Sequence, residues 1–168
     1  MKVISDILTA TVLVTESAAA TWTTEDISLP AAAREAIGIT IIGVDLVASN
    51  VEDVPGAGVV YEQVEVYLLE EEEAAEPALT DPDIIAYLDR RCHGDGTDII
   101  HVEAVSLGLQ GKLVTPENGF KTMRDKCYVG VVSSNSSSAA NATARVYFQI
   151  AKFTQAELVE LGFRESFE

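Results

Sequence analysis

Basic residues are scarce in this 168-residue chain: eleven Lys and Arg face twenty-seven Asp and Glu, for a formal charge of −16. Lysine occurs only at Lys2, Lys112, Lys121, Lys126 and Lys152, and no basic cluster exceeds the pair Arg90-Arg91. Such a surface repels phosphate backbones, which excludes direct nucleic-acid binding as the expected role. There is no uninterrupted apolar run of about 18 residues, so no transmembrane segment is expected. The opening Met1-Lys2-Val3-Ile4-Ser5-Asp6 places an acid where a signal peptide has its apolar core. Only two cysteines are present, Cys92 and Cys127. They cannot make a disulfide framework; one loop disulfide or two separate buried thiols remain open. Only two histidines are present, His93 and His101.

Recognisable catalytic patterns are missing as well. The glycines at 56, 58, 94, 96 and 111 match no Gly-rich phosphate-binding loop. Gly-x-Ser-x-Gly, the turn that presents a nucleophilic serine, does not occur. No local context joins either histidine to a serine and an aspartate, so no catalytic centre and no cofactor are expected. The stretch His93-Gly94-Asp95-Gly96-Thr97-Asp98 has oxygen and imidazole ligands for a cation, but lacks the EF-hand series and its terminal Glu. Adjacent Gly and Asp also suit an ordinary tight turn, and that reading is preferred. The acids from Glu70 to Glu76 read as a solvated loop. Asn135-Ser136-Ser137 and Asn141-Ala142-Thr143 are glycosylation sequons, a short pattern that also arises by chance.

What the chain does have is period-two alternation of apolar residues, the mark of half-buried strands. Strands are predicted over Ile7 to Thr15, Trp22 to Leu29, Ile37 to Ala48, Val60 to Leu69, Ile99 to Leu109, Cys127 to Val132 and Thr143 to Phe153. Gly111 to Val114 is a candidate hairpin partner for the Ile99 strand. In the Ile37 run the apolar phase flips from Ile37, Ile39 and Ile41 to Ile42, Val44 and Leu46, as a β-bulge beside Gly43 would require. One helical turn is expected over Ala31 to Ala36, and a loop over Asn50 to Gly58. Asp81-Pro82-Asp83 can cap a short helix through Ile84, Ile85, Tyr87 and Leu88. Cys92 to Asp98 reads as a tight connection, Pro116-Glu117-Asn118-Gly119 as a turn with positive φ at Asn-Gly, and Ser133 to Ser138 as a loop. Thr154-Gln155-Ala156-Glu157 spells a capping box before a short C-terminal helix that Gly162 could stop.

Several strands joined by irregular turns describe an all-β sandwich, most simply an eight-stranded jelly roll, over residues 1–153, with a helical tail over 154–168. Tyr61, Tyr67 and Tyr147 fall opposite the core stripes of their strands, and Phe163 and Phe167 lie in the tail. These five are the candidate interface residues, because aromatics concentrate where interfaces desolvate. Few lysines among many small residues point to work in high salt, where screening removes self-repulsion; a simply soluble acidic protein is the alternative.

The second half carries a resemblance. The strand Ile99 to Leu109, then Cys127-Tyr128-Val129-Gly130-Val131-Val132, the Ser/Asn/Ala loop to Ala142, Ala144-Arg145-Val146-Tyr147-Phe148-Gln149-Ile150 and the capped Thr154-Gln155-Ala156-Glu157 form one layout. It resembles the single jelly-roll capsid proteins of icosahedral viruses, particularly archaeal and environmental double-stranded DNA viruses. The resemblance implies pseudo-hexameric or pentameric units tiling a shell. Its partners would be copies of itself and other capsid proteins, and its location the virion, assembled in the host cytoplasm. A basic N-terminal arm for the genome is lacking, which leaves a shell lined by a membrane or filled by a motor. A non-catalytic binding module or appendage of a larger machine is the alternative.

Overall fold

The computed structural model describes residues 1–29, 36–49 and 61–165. In chain order the elements are β1 (Lys2–Val3), β2 (Leu8–Thr15), β3 (Thr23–Ser28), β4 (Ile37–Ser49), β5 (Tyr61–Leu69), β6 (Ile84–Gly94), β7 (Ile99–Gly108), β8 (Lys112–Leu113), β9 (Phe120–Thr122), β10 (Lys126–Ser134), β11 (Asn141–Lys152) and α1 (Gln155–Glu165). They form two antiparallel sheets. One carries β1 and β2 along one side of β11, with β4 on its other side and β8 and β9 beyond β4; the other runs β3-β10-β5-β6-β7. Successive strands β2, β3, β4 and β5 alternate between the sheets, and β10 and β11 return to pair with β3 and β2. First strands meeting last strands across two pressed sheets is the jelly-roll arrangement. Here each end position of the first sheet is split in two, and β7 adds a fifth strand to the second.

The core lies between the inner faces. Val14, Ile39, Ile41, Val44, Leu46, Val146 and Phe148 come from one sheet, and Ile27, Val64, Val66, Leu68, Val129 and Val131 from the other. The phase flip in β4 is a bulge: Tyr147 pairs Gly43 and Phe148 pairs Ile41, so Ile42 has no opposite number. That extra residue lets Ile39 and Ile41 point inward together with Val44 and Leu46, and all four are at most 3 % exposed. Glu16, just past β2, is buried and its carboxylate accepts from Ser133 N (2.6 Å), Ser133 Oγ (2.7 Å) and Ala140 N (2.7 Å). It ties the first long strand to both ends of the β10–β11 connection, meeting the cost of its burial with charge-assisted bonds.

A second apolar cluster covers the outer face of β10, β5 and β6: Tyr67, Leu69, Tyr87 and Val132, with Trp22, Ile84 and Tyr128 packed against them. The segment 70–83 folds back here, since Trp22 Nε1 donates to Glu73 O (2.8 Å) and Tyr67 Oη to Glu76 Oε1 (2.8 Å). The Trp22 ring lies on Gly130, where a Cβ would come within 2.0 Å of the indole. Only glycine leaves that room on β10.

Several expectations need correction. Ile84 to Leu88 is not helical but the start of β6, drawn into the sheet by pairing with β5, where Tyr87 opposes Tyr67. A short apolar run fits either periodicity until a neighbouring strand decides it. Cys92, His93 and Gly94 continue β6, so the turn is confined to residues 95–98. Lys112–Leu113 does not pair with β7; Gly108 and Gly111, both at positive φ, carry the chain to the other sheet, where Leu113 pairs Gly43. Residues Pro116–Asn118 form a 3-10 turn, and Gly119 has φ −77 rather than a positive value. The capping box is present: Thr154 N donates to Glu157 Oε2 (2.9 Å) and Glu157 N to Thr154 Oγ1 (3.4 Å). Gly162 does not stop α1, which runs to Glu165. The expected turn over Ala31 to Ala36 lies outside the described residues except for Ala36, and the loop over Asn50 to Gly58 lies wholly outside them. No described helix is long and apolar enough to cross a membrane.

Gly130→Ala forces its methyl into the Trp22 indole. It is expected to lower stability by about 1–3 kcal/mol, measured as the shift in urea midpoint.

Candidate functional site

Of the five candidate interface residues, Tyr67 is 1 % exposed and so is not a surface residue. The residue lies on the outer face as its parity requires, but the 70–83 segment of its own chain covers it. It stacks edge-on to Trp22 (centroids 5.4 Å apart, planes at 76°) and lies 4.9 Å from Tyr87. Glu65 Oε1 accepts from Tyr87 Oη (2.6 Å) and, more weakly, from Tyr67 Oη (3.4 Å). Burial raises the Glu65 carboxyl above the ordinary range; the Tyr87 hydrogen bond opposes this, and the charges of Glu76 and Asp89 add to it. Burial and the same carboxylates push both phenols well up. The cluster therefore holds protons tightly and spends its carboxylate oxygens on tyrosine hydroxyls, which makes it a structural lock for the 70–83 segment.

Tyr61 is half-buried at the start of β5. The Arg91 guanidinium stands 5.5 Å from its ring centroid and the His93 ring 5.6 Å away. His93 Nε2 lies 3.3 Å from Glu103 Oε1 and its ring 6.0 Å from that of His101. Arg91 also bridges Asp89 (2.8 Å) and approaches Glu103 (3.8 Å). The fold thus draws both histidines into one polar patch of β6 and β7, and His93 faces Glu103 rather than Asp95 and Asp98. The Asp95 carboxylate instead accepts from Thr97 N and Asp98 N (both 2.9 Å), bonds that hold its pKa below the usual carboxylate range. Among the described residues no three His, Cys, Asp or Glu side chains are placed to hold a metal ion. Cys92 and Cys127 are buried thiols, not a disulfide, and burial pushes the Cys127 thiol up. Asn135 is exposed at φ 59 beyond β10, whereas Asn141 is half-buried within β11.

On the opposite sheet Tyr147 is half-buried and donates to Asp45 Oδ2 (2.9 Å). With Ile7, Thr9, Asp45, Gly111, Lys112 and Leu113 it lines an open recess of about 490 Å³. Around it the outer face is bare: Leu13 is 63 %, Val47 56 % and Leu113 67 % exposed. Leu13 and Val47 flank Thr143 in one cross-strand row. Phe163 lies in α1, its side chain outside the described residues, and Phe167 lies outside them altogether.

Sequence reasoning missed β7 as a surface. Ile99, Ile100, Val102, Val105 and Leu107 are each between 41 % and 69 % exposed. Apolar residues at both parities with a single acid, Glu103, read as a strand buried on two faces, yet here no described residue covers either face. The chain matches no protein-family model and no curated protein.

Because its folded carboxyl prefers the proton, Glu65 adds stability below the unfolded glutamate pKa of about 4.3 and loses it as pH rises through the raised folded value. Glu65→Gln keeps an acceptor for Tyr87 but cannot ionise. The melting temperature of the native protein relative to Glu65→Gln is therefore expected to be higher at pH 5 than at pH 7.

Proposed function

We propose that this protein is a non-catalytic structural subunit that assembles with copies of itself, and that the assembly is a jelly-roll capsid shell. The observation that carries the reading is the strand order. First strands close on last strands in two antiparallel sheets, leaving a rigid block whose bare outer face and fifth strand expose aliphatic side chains. Exposed apolar groups on a block of charge −16 are costly unless neighbours cover them. The chemistry of the clusters supports the same reading, because their carboxylates, phenols and imidazoles are engaged in holding segments of the chain in place. Acidity fits assembly in concentrated salt, where a Debye length of about 3 Å removes long-range repulsion between subunits. The virion is then its location, and other capsid proteins are further partners.

The recess beside Tyr147 favours a second reading, a β-sandwich binding module or appendage that takes an apolar group against Leu113 and Ile7. Light scattering coupled to size-exclusion at low and molar salt, with negative-stain microscopy of the same fractions, separates the two. Oligomers or particles that grow with salt are expected for a shell subunit. A strict monomer in both conditions, with no particles, removes the shell reading.

A further inference from the structure

Among the described residues, the outer edge of β7 is the place where backbone, side chains and charge all leave an opening. β7 ends the sheet β3-β10-β5-β6-β7, and no described strand pairs with its free side. A long edge strand presents a row of N–H and C=O groups that template another strand. Proteins ordinarily blunt such an edge with lysine, proline or a bulge in the strand; Ile99–Gly108 has no lysine, arginine or proline, and its register against β6 shifts only at Ile100, near the strand's start, leaving His101 to Gly108 in regular pairing. Val102 pairs Cys92, a core residue, so it points to the core side of the sheet, yet it is 41 % exposed. β7 therefore overhangs the sandwich, with aliphatic groups above and below that no other described residue covers.

We propose that β7 is the pairing edge for β7 of a second copy, joined antiparallel about a two-fold axis into one continuous sheet. This rests on the assembly reading and names the contact within it. Three observations select a second copy. An edge that offers alternating donors and acceptors is complementary to itself under a two-fold, so one patch serves both partners. Of the chain's twenty-seven acids only Glu103 lies in β7, so like-charged copies meet here with the least carboxylate opposition. The side chains also choose a register. Centring on Val102 sets Glu103 against His101 of the second copy, with the irregularity at Ile100 falling beyond that pair. Centring on Glu103 would set two carboxylates face to face. The chosen pairing is about 24 Å long and, at a sheet thickness of about 10 Å, covers on the order of 250 Å² per copy. A standard stable interface takes about 800 Å² per partner, so this contact is weak alone and gains strength as one of several in an assembly.

Sedimentation velocity of the full chain at low and molar salt tests it, comparing Val102→Lys, Val105→Lys and Leu13→Lys, the last on the outer face of the other sheet. Circular dichroism checks that each keeps the native strand spectrum; all three sites are exposed enough to take lysine. The expected result is a dimer that tightens with salt, weakened at least about tenfold by either β7 substitution and unchanged by Leu13→Lys. Val102→Cys should also form a disulfide-linked dimer on mild oxidation, since Cys92 and Cys127 are buried and do not compete. Association of the native chain that the β7 variants leave intact, or that only Leu13→Lys abolishes, overturns the pairing edge and leaves the assembly reading standing. A native chain that never associates removes both. Protection of β7 amides from hydrogen exchange at dilutions where the chain is monomeric shows the edge covered within one chain, and that also overturns the proposal.

Discussion

Two aliphatic faces pressed together, with every long strand required to keep its apolar parity toward the gap, is the condition on which this molecule is built. β11 bears most of it, because it pairs with β2 on one side and β4 on the other and sends Ala144, Val146 and Phe148 into the core. A strand of twelve residues and one of thirteen, each with its own twist, would drift out of register over that length without relief. The extra residue Ile42 supplies the relief, so that Ile39 and Leu46 both reach the same core. Since β2 meets β11 and β3 meets β10, almost the whole chain lies between paired partners. Closure is non-local, and Glu16 fastens it by binding Ser133 and Ala140 from more than a hundred residues away.

The two outer faces then part company. Over β10, β5 and β6 the protein supplies its own cover, an aromatic box closed by the 70–83 segment and locked by tyrosine–carboxylate hydrogen bonds. Over β2, β11 and β4 the described residues supply none, and along β7 they leave both faces and the edge uncovered. The proposed function rests on that asymmetry more than on any single side chain. Under the proposed assembly, acid spread over the rest of the surface would keep copies apart at low salt, and the sparsely charged aliphatic areas would be where they meet once screening acts.

How much of this was legible depended on whether a residue answered to its neighbours in sequence or to those across the sheet. The strands around Leu8, Ile27, Ile39, Val64, Val129 and Val146, the bulge near Gly43 and the Thr154–Glu157 cap all follow from local pattern. The start of β6 misled because Asp81-Pro82-Asp83 is a good helix opening, and only pairing with β5 makes Ile84 to Leu88 extended. Tyr67 misled because parity says which way a side chain points and nothing about what lies above it. β7 was read as a strand, yet its exposure could not be, since apolar residues at both parities describe a buried strand and an overhanging one alike.

The sequence by itself determined the all-β class, most strand limits, the acidity and the capped final helix, because period, capping and charge are properties of short stretches and of sums. Only the tertiary structure decided that first strands pair with last, that Trp22 rests on Gly130, that His93 turns to Glu103 and that β7 is left at an open edge. Those outcomes depend on which segments become neighbours through closure of long loops, and the energy that selects them is spread over a core no single segment contains.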